Sequence, residues 1–245
     1  NMEITMKNAK ITIEPIAECS LMLRYRAEVN ADNSVIIGAL ATKIRSEFGQ
    51  LIMNVTPSYN SILVDYLPYR ISEHQFIDEI NKLSKCFMNV FSSNFMESKV
   101  VTLPVYYSEE TALDLARFIE RGVSLSSLIE THTKQEYSVS AIGFAPGFAF
   151  LSDVETSIAM PRLTTPRLSV PKGSVGIADS KTAIYPSQSP AGWNIIGNCP
   201  IALFDVSNAT PDSVDSISLF SIGDKVKFEA IDRATFIELG GDLNE

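Results

Sequence analysis

Cysteine is scarce: Cys19, Cys86 and Cys199 stand far apart in a chain of 245 residues. That odd, scattered set makes neither a disulfide framework nor a thiolate metal motif, and it leads to the expectation of a reducing cytoplasm. Histidine is scarcer still. With His74 and His132 alone, a multi-histidine metal centre is not available. No apolar run approaches the roughly 18 residues that span a bilayer, and the opening NMEITMKNAK has no apolar signal-peptide core. Neither a membrane span nor a secretory leader is expected, and Asn1 ahead of Met2 reads as a residue left by expression. Positive charge is also short. Lys and Arg number 20 against 29 Asp and Glu, for a net charge of −9. A protein that grips nucleic acid non-specifically needs a basic face, so that class is disfavoured.

The familiar catalytic signatures are missing too. There is no GxxxxGK[ST] phosphate loop, no GxGxxG and no HExxH. The nearest approach to a G-x-S-x-G elbow, Gly173-Ser174-Val175-Gly176, has the wrong spacing. No self-contained hydrolase triad is visible.

What is present is a globular composition, 45% hydrophobic and 20% charged, long enough for one large or two small domains. Residues 10–26 read as two strands. Asp32 is placed to cap a helix through Phe48, with Val35, Ile36, Leu40, Ile44 and Phe48 on one face. LIMNV (51–55) and SILVDY (61–66) flank a loop of four to five residues around Pro57. Ser72 caps the next helix with Gln75 at the capping-box position, and Phe76, Ile77, Ile80, Leu83 and Phe87 form its buried stripe. KVVTLPVYY (99–107) returns as a strand, with Pro104 suggesting an edge or boundary. The order strand-strand-helix-strand-strand-helix-strand suggests an α+β sandwich of ferredoxin-like type, a scaffold assigned to residues 1–98.

The remainder, 99–245, opens with two short helices, Glu109–Arg121 capped by Ser108 and a second capped by Ser124. EYSVSAIGF (136–144) then alternates as a strand, and beyond Leu151 the pattern is β throughout. Expected strands are SVGIA (174–178), AIYP (183–186), NIIG (194–197), IALFDV (201–206) and KVKFEAI (225–231). Spacing alone makes this half a barrel or a sandwich. Glycine and proline concentrate here: six of 12 glycines and eight of 12 prolines lie between residues 143 and 211. Such a stretch, interleaved with β-branched and aromatic residues, reads as short strands joined by shaped loops that can line a pocket.

Chemistry-bearing residues cluster in the same stretch, and each carries two readings. Arg162, Arg167 and Lys172 are spaced by Pro161, Pro166 and Pro171. They are either surface cations paired with nearby acids, or forks for the carboxylate or phosphoryl of a substrate. Pro146-Gly147-Phe148 follows a strand. It is either a turn with Phe148 in the core, or a loop whose backbone approaches a ligand. Ser174 after Gly173 begins a strand or belongs to a backbone nest. Tyr185 and Trp193 beside tight turns are core aromatics or a pocket wall. His132 ends a helix four residues before Glu136. The helix dipole favours a structural role there, with proton transfer alongside Glu136 as the alternative. His74 reads as solvated.

These motifs also carry a resemblance. G-F-x-P-G-F (143–148), P-R-x(3)-P-R-x(2)-V-P-x-G-S-V-G-I (161–177), I-Y-P (184–186), S-P-x-G-W (189–193) and the H-x(3)-E-Y of His132–Tyr137 resemble the family of the 5-oxoprolinase B subunit. That family includes the kinase inhibitor KipI and the first half of allophanate hydrolase-type carboxyltransferase domains. The resemblance implies a cyclophilin-like closed β-barrel for residues 99–245. It also implies a non-autonomous subunit that works with a carboxyltransferase-like C subunit and an A subunit. Together these hydrolyse 5-oxoproline to glutamate using ATP, with the subunit that holds ATP left open. The alternatives it implies are inhibition of a sensor histidine kinase and urea/allophanate-type carboxyl transfer. No A/V-M-K-M biotin-carrier motif is present, and prolyl isomerisation would rest on fold analogy alone. The sequence departs from the family where Ala149-Phe150 replaces Pro-Tyr and Lys172 replaces Ala. It departs again where Ala178–Ala183 replaces G-G-x-Q-T-G, and where Ala191 replaces Gly.

Overall fold

The computed structural model describes residues 10–26, 31–91, 99–204 and 218–243. The chain divides into two compact units, Asn1–Ser98 and Lys99–Glu245.

The first unit runs β1 (Lys10–Ala17), β2 (Ser20–Arg26), α1 (Ala31–Phe48), β3 (Ile52–Ser58), β4 (Ser61–Tyr66) and α2 (Glu73–Phe91). Its strands lie in the order β1-β2-β4-β3, antiparallel throughout. Period-2 alternation puts Leu21, Leu23 and Tyr25 of β2 and Ile62, Val64 and Tyr66 of β4 on one buried face. There they meet Ile36, Ile37, Leu40 and Ile44 from α1 and Phe76 and Ile80 from α2. The capping box at α2 forms as its residue types dictate: Gln75 N–H donates to Ser72 Oγ and Ser72 N–H to Gln75 Oε1. Two details differ from expectation. Asp32 falls inside the first turn of α1 rather than ahead of it. The β3–β4 connection shrinks to Tyr59-Asn60 because Pro57 and Ser58 stay in the ladder, opposite Ile62 and Ser61.

The second unit contains β5 (Val100–Val105), α3 (Leu115–Glu120), α4 (Leu125–Lys134), β6 (Glu136–Ile142), β7 (Ala149–Asp153) and β8 (Arg167–Val170). It continues with β9 (Ser174–Ala178), β10 (Lys181–Ile184), β11 (Ser189–Ala191), β12 (Asn194–Asn198), β13 (Lys225–Ala230) and α5 (Arg233–Glu238). The strand at 100–105 therefore belongs here, paired in parallel with β13, and does not complete the first unit. From β13 the pairing runs antiparallel through β6, β7, β10 and β9 to β12. It then returns to its start: Tyr106, just past β5, exchanges both backbone hydrogen bonds with Asn198 at 2.9 and 3.0 Å. Gly197 permits that return. A Cβ there would lie 2.9 Å from Val105 Cγ1 and 3.0 Å from Tyr106 O.

Two apolar clusters use the two faces of these strands. Leu103, Val105, Tyr137, Val139, Leu151, Val175, Ile177, Ile184, Ile196 and Phe228 form one, with Phe118 and Leu128 from the helices. The other comprises Phe148, Ala178, Ala183, Tyr185, Trp193 and Ile195, joined by Val170 and Ala191 from the two-stranded β8–β11 ribbon. Strands β9 and β12 are consequently buried along their whole length, the terminal Ser174, Asn194 and Asn198 included.

Three expectations are corrected in this unit. The helix expected at Glu109–Arg121 shortens to Leu115–Glu120. Residues 108–113 are held as turns by Ala112 N–H on Ser108 O at 2.8 Å and Thr111 Oγ1 on Tyr106 O at 2.7 Å. IALFDV forms no extended strand within the described residues: Phe204 makes an isolated bridge to Ser218, and 205–206 lie outside them. The end of the chain is not purely β, since Asp232 caps α5 by accepting from Thr235 N–H at 2.8 Å.

Candidate functional site

The strand-borne aromatics of the second cluster converge with the β6–β7 loop. Gly143 N–H donates to Phe148 O at 3.1 Å and Phe148 N–H to Ala145 O at 3.0 Å, closing that loop at its base. Gly147 sits at φ 78°, and an added Cβ would meet Phe204 Cβ at 2.7 Å and Leu203 O at 3.2 Å, so a side chain there is excluded twice over. Phe148 is buried, with its ring 5.2 Å from Tyr185 and 5.9 Å from Trp193, both edge-on. Phe144 takes φ 74°, an unusual backbone state for an aromatic residue, and stays 70% exposed while its ring meets Phe148 at 5.2 Å. Pro146 is exposed beside it.

Arg162 supplies the charge. Its guanidinium lies over the Trp193 ring, 5.7 Å from the centroid, and its Nε is 3.8 Å from Asp179 Oδ2. Burial pushes the Tyr185 hydroxyl up to about 12, with the Arg162 charge acting in the opposite sense. Phe148, Tyr185 and Trp193 are thus a buried aromatic cluster, 1%, 2% and 5% exposed, and Arg162 is the exposed cation that lies over it. An exposed guanidinium held in place over an indole is chemically suited to take the charge of a small anion.

The other expected residues go elsewhere. Arg167 does not join Arg162. Its fork grips Asp114 with two bonds of 2.8 and 2.9 Å, and Asp114 also accepts from Ile195 N–H at 2.7 Å. Asp114 is 3% exposed and Arg167 31%, so this is a structural clamp between the start of α3, β8 and β12. Lys172 is exposed, and its carbonyl accepts from Asn198 Nδ2 at 2.8 Å. Ser174 is buried and donates to Pro171 O at 2.7 Å.

His132 is fully buried and does not meet Glu136, which pairs with Lys225 at 3.5 Å. Its ring contacts Tyr107 Oη through Nδ1 at 2.7 Å and Thr182 Oγ1 through Nε2 at 2.9 Å. Thr182 spends its own proton on Gly176 O at 3.1 Å, so it accepts from His132 Nε2–H, and Nδ1 accepts from Tyr107. The order Tyr107→His132→Thr182→Gly176 uses each hydroxyl or ring proton once. Burial pushes His132 down to about 3, and stacking on Phe228 at 4.4 Å fixes the neutral ring.

Sequence reasoning missed Asp114, Arg117 and Asn194. Asn194 donates to Pro161 O at 3.0 Å and Ile177 O at 2.8 Å, and its Oδ1 accepts from Arg117. These contacts seat the segment that carries Arg162. The available signal was Asn194 directly after Trp193, a polar residue opening an apolar strand. Among the described residues no group of His, Cys, Asp and Glu is arranged to hold a metal ion. None of their helices is long and apolar enough to cross a membrane.

The fold is a mostly antiparallel β structure with few helices, and comparison places it. A family model described as carboxyltransferase domain, subdomain C and D, matches residues 11–214. The chain belongs to that family. It is 32% identical over 227 residues to the B subunit of 5-oxoprolinase from Bacillus subtilis (strain 168), covering 89% of this chain and 92% of that one. The crystal structure of the protein TTHA0988 superposes with a TM-score of 0.72 at 28% identity, over 90% of this chain and 40% of that chain. This chain therefore spans well under half the length of that solved relative. The Kluyveromyces lactis urea carboxylase structure shares the fold, with a TM-score of 0.65 at 16% identity over 94% of this chain and 22% of that one.

Proposed function

We propose that this chain is the B-type subunit of an ATP-dependent 5-oxoprolinase, acting with A and C subunits and inactive alone. The observation that carries this reading is the match, along nearly the whole of both chains, to a relative named as the B subunit of 5-oxoprolinase. The site is compatible with it. 5-Oxoproline is a small lactam with one carboxylate, and Arg162, exposed and held over the Trp193 ring, offers a fork for that carboxylate. The Pro146-Gly147-Phe148 loop lies on one side of the Phe148–Tyr185–Trp193 cluster, while Arg167 and Ser174 hold the strands beside it and His132 serves the other core. A lactam is a poor electrophile whose opening is unfavourable, and coupling its hydrolysis to that of ATP supplies the driving force. The residues that perform that coupling belong to the assembled complex rather than to this chain alone. The finer fold reading goes with the proposal: a ferredoxin-like first unit and a cyclophilin-like barrel, the latter supported by the closed circuit of strand pairing.

The test is ATP-dependent glutamate release from 5-oxoproline by the assembled proteins, omitting each in turn. Turnover that requires this chain supports the proposal. A verified complex without turnover, together with suppressed autophosphorylation of a sensor histidine kinase, would replace it with the inhibitor reading. The family description favours one second reading, carboxyl transfer, which predicts dependence on a separate biotinylated carrier.

A further inference from the structure

Asp179 is the one carboxylate paired with Arg162 among the described residues, and its placement is specific. Its backbone exchanges two hydrogen bonds with Met160, at 2.7 and 3.0 Å, which ties the β9–β10 turn to a point two residues before Arg162. It holds φ 53°, a region that favours glycine and that Asp and Asn tolerate better than other side chains. Yet the ion pair it makes is loose. The separation is 3.8 Å, and the two side chains are 61% and 70% exposed. The contrast with the bidentate Asp114–Arg167 clamp is one of purpose as well as geometry, because Arg162 is already held from its other side by the Trp193 ring. The surrounding segment is cationic. Arg117 Nη1 donates to Pro161 O and Arg121 Nη1 to Ala159 O, each at 3.4 Å, so two further guanidinium groups flank the same four residues.

We infer that Asp179 is the resident counter-ion of Arg162, and that an anionic ligand binds this site by displacing it. The inference rests on the reading of Arg162 as an anion anchor and adds what sets its affinity. An exposed pair of this kind is weak enough to exchange, and its removal should change ligand affinity by about two- to fivefold. The ligand class is a small molecule with a carboxylate or phosphate. Asp179→Asn removes the competing charge, keeps the side-chain shape and keeps a residue that accepts the left-handed backbone.

Trp193 is the only tryptophan in the chain and lies under Arg162, so its emission reports on the site directly. The experiment titrates the full chain with 5-oxoproline and, separately, with inorganic phosphate. It uses wild type, Asp179→Asn, Arg162→Gln and the double variant, each checked for an unchanged melting temperature. The expected result is tighter binding by Asp179→Asn, and loss of binding whenever Arg162 is replaced, with the double variant indistinguishable from Arg162→Gln. Unchanged or weaker binding by Asp179→Asn overturns the inference, as does absence of binding for both anions in wild type. Tightening seen with phosphate but not with 5-oxoproline leaves the counter-ion role standing and removes the 5-oxoproline assignment.

Discussion

Two arginines five residues apart meet their carboxylates in opposite ways. Around Arg167 the acid is buried, the fork is bidentate and a backbone N–H completes the set. Around Arg162 the acid is exposed and distant, and the face of the cation rests on an indole. The first arrangement stabilises the fold because neither charge has another partner of equal quality. The second leaves a charge fixed in position but lightly satisfied, which is what a binding cation needs. Residue type and proline spacing are the same for both arginines. The partner decides the role.

The sharpest way to break this comparison is Arg167→Ala. It strands Asp114 in the interior, and the expected loss is about 3 kcal/mol, the low end for a broken buried pair because Arg167 keeps some water. Urea midpoints measure it, and a loss under about 1 kcal/mol would erase the distinction between the two regions.

The buried relay gives a pH test of the next largest size. His132 is held at about 3 against an ordinary 6.5. Between those values the unfolded chain takes up the proton and the folded chain does not. This group therefore lowers stability as pH falls from about 6.5, by at most about 1.4 kcal/mol per unit. The wild-type urea midpoint should fall more steeply between pH 7 and pH 4 than that of His132→Gln, with Thr182→Val retaining the wild-type slope. Equal slopes in wild type and His132→Gln would mean that the histidine is not held neutral.

Gly197→Ala is expected to cost about 1–3 kcal/mol, because the added methyl meets Val105 and the Tyr106 carbonyl where the strand circuit closes. Thermal melting checks it. Arg162→Gln sits at the small end, with a stability change within about 0.5 kcal/mol. Its effect belongs in substrate affinity.

Much of the scaffold was legible because local chemistry specifies it. Alternation in SLMLRYR and SILVDY, the Ser72–Gln75 box and the Ser124 cap all involve partners a few residues away. The failures share the opposite property. The helix expected from Glu109 starts late because Thr111 and Asp114 are engaged by Tyr106 and Ile195, and Ile195 is 81 residues from Asp114. Arg167 and Asp114 are 53 residues apart, and His132 finds Tyr107 and Thr182 at separations of 25 and 50 while the adjacent Glu136 turns to Lys225. β8 was missed because its four residues lie between Pro166 and Pro171 and owe their extended form to pairing with β11. The α5 cap was local and readable, an Asp followed three residues later by Thr in a short apolar stretch. At the candidate site, the sequence points to Phe148, Tyr185, Trp193 and Arg162, which the fold brings together. Only the three-dimensional partners separate the loosely paired Arg162 from the clamped Arg167.

The measurement that bears most directly on this division is steady-state 5-oxoproline turnover by the reconstituted complex carrying Arg162→Gln. A raised KM for 5-oxoproline is expected, with the complex intact and the melting temperature unchanged. Turnover and KM both equal to wild type would contradict it.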